Sequence, residues 1–219
     1  MKRAYFYGDS LTYGFDPRGF YESRYPESVR WTDVLQRRLV GKWDIVVDAA
    51  NGREIPNAAY EVEHARNTII SHTPFDVFCV MLGTNDYLNM YQPDVVEVTG
   101  RMKRFLEDIK AQAPVQMCGS QIILLAPPMI HTLQDEFYAK YDTTNGLFVR
   151  AYGALAAHLG VMFYDTTQWG LTPAFDGVHL SEEANLPFAD HMEEILEQIG
   201  LERDMEMAGS GLLGMQGDM

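Results

Sequence analysis

The chain has 219 residues, enough for one domain with a sizeable core and short for two. A hydrophobic fraction of 47%, with 11 Phe, 12 Tyr and 3 Trp, excludes a disordered chain and fits a packed globular one. The formal net charge of −14 repels phosphate backbones and anionic lipid surfaces, so neither nucleic acid nor a membrane is an expected partner and small neutral substrates suit the chain better.

Taken in chain order, Arg3 to Tyr7 is the first of five short, β-branched or aromatic runs bounded by turn residues, the pattern of buried strands. The apolar stretch within Met1 to Gly8 is too short for a signal-peptide core and no small-residue cleavage site follows it, and no apolar run reaches the roughly 18 to 20 residues of a membrane helix. A cytoplasmic location is therefore expected. Trp31, Val34, Leu35 and Leu39 then repeat at helical spacing, and Asp44 to Val47 forms the second strand. Val62, Ala65, Ile69 and Ile70 mark a second helix, and Asp76 to Met81 the third strand.

A third helix is expected to open at Pro93, a favoured first-turn residue, and to carry Val96, Met102, Phe105, Leu106 and Ile109. Gln121 to Ala126 is the fourth strand, followed by a helix with Leu147, Tyr152, Leu155, Ala156 and Leu159. Val161 to Tyr164 is the fifth strand. The last helix is expected to use Ser181 as its N-cap, with Glu182 and Glu183 in its first turn, and to end near Gly200. Residues 1–204 thus form a single domain. The Gly- and Met-rich tail of 205–219 lacks periodicity and is expected to fray or to dock on another subunit.

Strand and helix alternating five times predict an α/β fold. The expected form is a flavodoxin-like three-layer α/β/α sandwich with a five-stranded parallel sheet in the order 2-1-3-4-5. Two connections are unusually long. Residues 15–30 carry Phe15, Phe20, Tyr21 and Tyr25, and residues 127–142 carry Met129, Ile130, Phe137 and Tyr138. Each either walls a pocket or interface, or packs its aromatics on its own domain.

In an open α/β sheet, ligands bind beyond the C-terminal strand ends, near the point where strand order reverses. The chain's polar clusters fall there. Gly8-Asp9-Ser10 follows the first strand, Asn51-Gly52-Arg53 the second, Gly83-Thr84-Asn85-Asp86 the third and Asp176-Gly177-Val178-His179 the fifth. A serine hydroxyl needs a base, and His179 can serve Ser10. Asp176 can fold back onto the imidazole and hold its tautomer. An acyl-transfer transition state also needs donors for its oxyanion, and the backbone N–H groups of Ser10 and Gly52 and the Asn85 amide are candidates. Glycine at 52 lets the backbone come close.

Asp9 is either a catalytic acid or a turn former, and Asp86 reads in the same way. Arg53 either touches substrate or an interface, or forms a structural salt bridge. Tyr13, Phe15, Tyr87, Trp169, Phe175 and Val178 are candidates to wall an acyl or alcohol pocket, and Asp9 is grouped with them as a substrate-binding candidate. Cys79 reads as a buried small hydrophobe, and Cys118 lies in a turn; neither has a CxxC partner. His64, His72, His131, His158 and His191 show no metal-ligand spacing with a carboxylate, so neither a metal nor another cofactor is expected.

The Gly8-Asp9-Ser10 block ending in Gly14, together with Gly52, Gly83-Thr84-Asn85-Asp86 and Asp176-x-x-His179, resembles the blocks of the SGNH (GDSL-type) hydrolases in their order and spacing. The wording around them, including Arg24-Tyr25-Pro26 and Val29-Arg30-Trp31-Thr32, is similar to the arylesterase and acyltransferase branch. The resemblance implies a serine esterase in which Ser10 is the nucleophile, His179 the base and Asp176 its orienter. It also implies an oxyanion hole of Ser10, Gly52 and Asn85, substrates with short acyl groups, and a homo-oligomer built through the long loops. The chain departs from the family at Ala49, where a further glycine often stands. Two alternatives remain at this point: a carbohydrate O-acetyl deacetylase with the same triad, and a non-catalytic flavodoxin-like binding module.

Overall fold

Five strands form one parallel sheet in the order β2-β1-β3-β4-β5: β1 Lys2–Gly8, β2 Trp43–Ala49, β3 Val77–Met81, β4 Gln121–Ala126 and β5 Met162–Asp165. The structure is a computed structural model that describes residues 1–20, 22–132, 139–142 and 145–214, with side chains as far as Met205. The expected strand order is the one observed. From β1 the chain runs outward to β2 and then crosses back to β3, so strand order reverses between β1 and β3. Ala49, the departure from the resembled family, is the last residue of β2 and pairs in register with Gly8.

Each strand alternates its side chains between two cores, because successive Cβ atoms point to opposite faces. On one face Tyr5, Tyr7, Phe78, Val80, Ile122 and Leu124 are covered by α3 (Ala59–Ser71), α5 (Val95–Lys110) and α8 (Asn145–Leu159) through Ile69, Met102, Phe105, Tyr152 and Leu155. On the other, Ala4, Phe6, Cys79, Met81, Ile123 and Leu125 lie under α2 (Trp31–Arg38) and α9 (Asn185–Gly214) through Trp31, Leu35, Phe188, Met192 and Leu196. Both sheet faces are buried, which is why the central strands read as continuous apolar runs. Cys79 is buried in this second core, and its thiol is pushed up by desolvation.

Helix ends depart from the sequence expectation where side chains elsewhere supply the caps. Asp94 caps α5, accepting from the N–H groups of Val96 at 2.9 Å and Glu97 at 3.0 Å, so Pro93 lies just outside the helix. Ser181 Oγ accepts from the Ala184 N–H at 3.2 Å and closes a turn, and α9 itself begins four residues later at Asn185. The buried Asn185 side chain then joins two elements. It donates to the Ser181 carbonyl at 2.9 Å, and its Oδ1 accepts from the Trp31 N–H at 3.2 Å, satisfying a donor that the start of α2 leaves open.

Nor does α9 stop at Gly200. Arg203 donates to the Gly119 carbonyl at 2.9 Å and pairs with Asp76 at 3.2 Å, and Lys2 pairs with Asp204 at 2.7 Å. These tertiary contacts outweigh the helix cost of a glycine, about 1 kcal/mol. Of the expected tail, the backbone of 205–214 continues this helix, and residues 215–219 lie outside the described residues. Among the described residues there are also four shorter α-helices, α1 (Ser10–Tyr13), α4 (Thr84–Leu88), α6 (Ala113–Met117) and α7 (Ala139–Asp142), and a 3-10 turn at Thr166–Gln168. Among the described residues, no helix is long and apolar enough to cross a membrane.

Candidate active site

Ser10 is the first residue of α1, directly beyond β1, and Asp9 caps that helix by accepting from the Leu11 N–H at 2.9 Å. A short helix cannot hold a serine by itself, and tertiary contacts fix it. The indole of Trp31 donates to the Leu11 carbonyl at 3.0 Å from the start of α2. Ser10 is left 7% exposed.

The segment between β5 and α9 brings Asp176 and His179 to the same place. Oδ1 of Asp176 accepts from the N–H groups of Val178 and His179, each at 3.0 Å, forming a local turn. That geometry leaves Oδ2 facing His179 Nδ1 at 2.6 Å, while His179 Nε2 lies 2.9 Å from Ser10 Oγ. With a carboxylate on Nδ1, the neutral imidazole carries its proton there, so Nε2 is the acceptor for the serine hydroxyl. Burial raises the Asp176 carboxyl, but the hydrogen bonds from His179 and from the two backbone N–H groups outweigh it and hold it below its ordinary value. The same hydrogen bonds favour the ionised form of Asp176.

The segment is anchored to the β4 connection. The His131 N–H donates to the Gly177 carbonyl at 2.7 Å, and an antiparallel bridge joins Pro173 to Leu180. From the 15–30 connection, Phe15 lays its ring against His179 with centroids 4.6 Å apart. The Tyr25 hydroxyl donates to the Leu180 carbonyl at 3.1 Å, so this connection packs on its own domain beside the site. Tyr21, Phe137 and Tyr138 lie outside the described residues.

Asn85 sits in the first turn of α4, beyond β3. Its Nδ2 donates to the Arg53 carbonyl at 3.1 Å and to Asp9 Oδ2 at 3.3 Å. Gly52 stands in the turn after β2 at φ +72°, a backbone region that favours glycine, with open space beside its α-carbon. The same turn is clamped from below. Asp86 Oδ2 accepts from the Ile55 N–H at 2.9 Å and Oδ1 from Arg101 at 3.2 Å, and Asn89 donates to Glu54 at 2.6 Å. Desolvation raises the Asp86 carboxyl to about 6. Arg101 was not among the sequence candidates, because an arginine on an amphipathic helix carries no local sign of a distant buried partner.

Other candidates divide. Asp9 is fully buried and caps α1 with one carboxylate oxygen, and desolvation pushes its carboxyl up to about 7. Tyr87 is 2% exposed, packs on Tyr141 and Phe148, and donates its hydroxyl to the Tyr141 carbonyl. It belongs to a buried cluster with Ile130 and Tyr141. Trp169 packs on Phe188 and His191 of α9 and contributes to the second core. Val178 packs partly against Tyr87, Ile130 and Tyr141, while Phe175 is 76% exposed beside Asp176. Tyr13 is half-buried under the Arg24 guanidinium, 4.1 Å from the ring centroid. Arg53 is structural: it pairs with Asp48 at 2.6 Å and lies over the Tyr7 ring.

Behind the Gly52 turn, on its α3 side, a cavity of about 690 Å³ is lined by Tyr7, Arg53, Ile55, Asn57, Tyr60 and Arg101 among others. Among the described residues, no group of three or more His, Cys, Asp or Glu side chains could hold a metal ion.

The family model of the GDSL-like Lipase/Acylhydrolase family matches residues 6–185, which include the Ser10, Gly52, Asn85, Asp176 and His179 positions. Among solved structures, a carbohydrate acetylesterase family member from Sinorhizobium meliloti is similar at TM-score 0.78 and 23% identity, covering 91% of this chain and 99% of its own. The inhibitor-bound aryl esterase of M. smegmatis is similar at TM-score 0.77 and 22% identity, covering 91% of this chain and 100% of its own. These likenesses show the fold. None of the curated proteins compared with the chain matches it. With the family match extending over most of its length, the chain belongs to the GDSL-like lipase and acylhydrolase family, the SGNH hydrolases, and is a carboxylic-ester hydrolase.

Proposed function

We propose that the protein cleaves small neutral esters with short acyl groups through an acyl-enzyme on Ser10. The observation that carries this reading is the unbroken hydrogen-bonded chain from Asp176 Oδ2 through both ring nitrogens of His179 to Ser10 Oγ, at 2.6 and 2.9 Å. Ser10 Oγ attacks the ester carbonyl and passes its proton to His179 Nε2, while Asp176 stabilises the imidazolium. The carbonyl oxygen becomes an oxyanion, held by the Ser10 and Gly52 N–H groups and the Asn85 amide. Collapse breaks the bond to the alkoxy group, which leaves with the proton from His179. Water then repeats the sequence on the acyl-enzyme and releases the acid, and an alcohol in its place gives acyl transfer.

Short acyl groups suit a nucleophile that retains 7% exposure. Self-association belongs to the same reading, with Phe20 of the 15–30 connection 94% exposed, and light scattering would measure it.

Initial rates on p-nitrophenyl esters from acetyl to decanoyl, with Ser10→Ala as control, test the reading. Turnover highest on the acetyl ester and lost in the variant is expected. A decanoyl rate above the acetyl rate would overturn the short-acyl half. Failure of a fluorophosphonate to label Ser10 would overturn the serine mechanism. Labelling without turnover of any aryl ester would move the substrate to O-acetylated sugars.

A further inference from the structure

We infer that Asp9 is a positioning residue for the reaction, whose carboxylate fixes which end of the Asn85 amide faces the Ser10 and Gly52 turns. The inference rests on the reading of Asn85 as an oxyanion donor.

A primary amide has two ends of nearly equal size and opposite hydrogen-bonding character, and only the nitrogen can serve an oxyanion. What chooses between them is the set of neighbours. Nδ2 of Asn85 gives its two hydrogens to two acceptors, Asp9 Oδ2 at 3.3 Å and the Arg53 carbonyl at 3.1 Å, so an oxyanion would take the hydrogen now given to Arg53 while Asp9 keeps the other. Turning the amide over would place its oxygen against a carboxylate and a carbonyl. Asp9 is fully buried, so no bulk solvent is present to relieve that opposition.

Capping α1 does not account for a carboxylate here. The cap uses one oxygen, Oδ1, which accepts from the Leu11 N–H at 2.9 Å. Asparagine or serine would supply that acceptor equally well at an N-cap. The second oxygen is what the carboxylate adds, and Asn85 is its partner. Holding a charge out of water has a cost, visible in the raised carboxyl of Asp9, and such costs gather where a group serves the chemistry.

The two roles separate in Asp9→Asn. That variant keeps the cap acceptor but sets an NH2 group opposite the NH2 group of Asn85, favouring the overturned amide. Asp9→Asn, Asn85→Ala and the double variant are compared with the wild-type chain by kcat and KM on p-nitrophenyl acetate at about pH 8.5, above the raised Asp9 carboxyl, and by melting temperature. Loss of one oxyanion donor in Asn85→Ala is expected to lower kcat by about 100- to 1,000-fold. Asp9→Asn is expected to lower kcat by about 10- to 100-fold, a coupling typical of groups in contact, with KM within about twofold. Because both act through one amide, the double variant should be no slower than Asn85→Ala.

Wild-type kcat in Asp9→Asn, or losses that multiply in the double variant, would overturn the positioning role while leaving Asn85 a donor. Unchanged kcat in Asn85→Ala would remove the donor reading and this inference with it. Should Asp9→Asn fail to fold, Asp9→Ser, which keeps a cap acceptor without the second oxygen, serves in the same comparison and is expected to lower kcat in the same non-additive way.

Discussion

The ring of Phe15 rests on the imidazole of His179, centroids 4.6 Å apart and planes inclined by 51°. Phe15 reaches it from the connection after α1, where an antiparallel bridge to Arg24 fixes the backbone. An aromatic face against one side of the imidazole limits its rotation about χ2, and with it the fraction of time Nε2 spends in reach of Ser10. Such a pair contributes about 0.5 to 1.5 kcal/mol beyond buried area. Phe15→Ala is therefore expected to lower kcat by about 2- to 12-fold with p-nitrophenyl acetate, and Phe15→Tyr to retain most of it. An undiminished kcat in Phe15→Ala would show that the Asp176 contact alone holds the ring.

Asp176 makes three hydrogen bonds, one to the imidazole and two to backbone N–H groups of its own turn. In Asp176→Asn the Oδ1 acceptor and the turn can persist, but an amide NH2 faces Nδ1 and favours the tautomer with its proton on Nε2. That proton points at Ser10 and removes the acceptor. By analogy with triads in general, kcat should drop by about 10³- to 10⁴-fold with little change in melting temperature. Activity within tenfold of wild type would argue against Asp176 as the orienter.

Gly177 joins the two halves of the Asp176–His179 segment at φ +71°, and a Cβ built on it would stand 2.1 Å from the His131 carbonyl oxygen. Backbone cannot swing aside as a side chain can, so Gly177→Ala must shift one loop or the other. Its destabilisation in urea is expected to reach about 2 kcal/mol or more, from overpacking and the positive φ together. Loss of the anchor should lower kcat as well, because His179 lies two residues on. A variant of wild-type stability would show that the β4 connection yields freely.

Buried carboxyls give stability a pH dependence of definite sign. Desolvation raises Asp9 to about 7 and Asp86 to about 6, whereas an unfolded Asp titrates near about 3.9. Between these values the folded chain holds protons that the unfolded chain has released, so stability falls as pH rises from about 4 to 7. Asp176, held below its ordinary value, works in the opposite sense: its contribution is present above about 4 and is lost as pH falls through the lowered folded value. The urea midpoint should therefore be lower at about pH 8 than at about pH 5.5, and Asp9→Asn should shrink the difference. An equal difference in the variant would mean that Asp9 titrates as an exposed carboxyl does.

Much of this architecture was legible locally. A sheet buried on both faces writes its strands as short continuous apolar runs, and the five runs from Arg3, Asp44, Asp76, Gln121 and Val161 fall on the five strands. The polar blocks after them followed from the same reading, since residues just beyond parallel strands must share one edge. Sequence pattern also singled out Ser10, Asn85, Asp176 and His179 as the residue types that acyl-transfer chemistry needs.

Tertiary structure alone decided which side chains meet. Ser10 and His179 are 169 residues apart in the chain, and Asp9 and Asn85 are 76 apart, separations to which no local periodicity responds. Tyr87 and Trp169 were indistinguishable in sequence from Phe15, since each is an aromatic near a polar block. Packing set Tyr87 in the core, Trp169 against it and Phe15 on the imidazole of His179. The length of α9 and the role of Asn185 were hidden for the same reason, since contacts with Gly119, Asp76 and Trp31 outweigh the local signals of a glycine and a serine cap. A sequence states what each segment prefers by itself, and long-range packing free energy decides which of those preferences prevail.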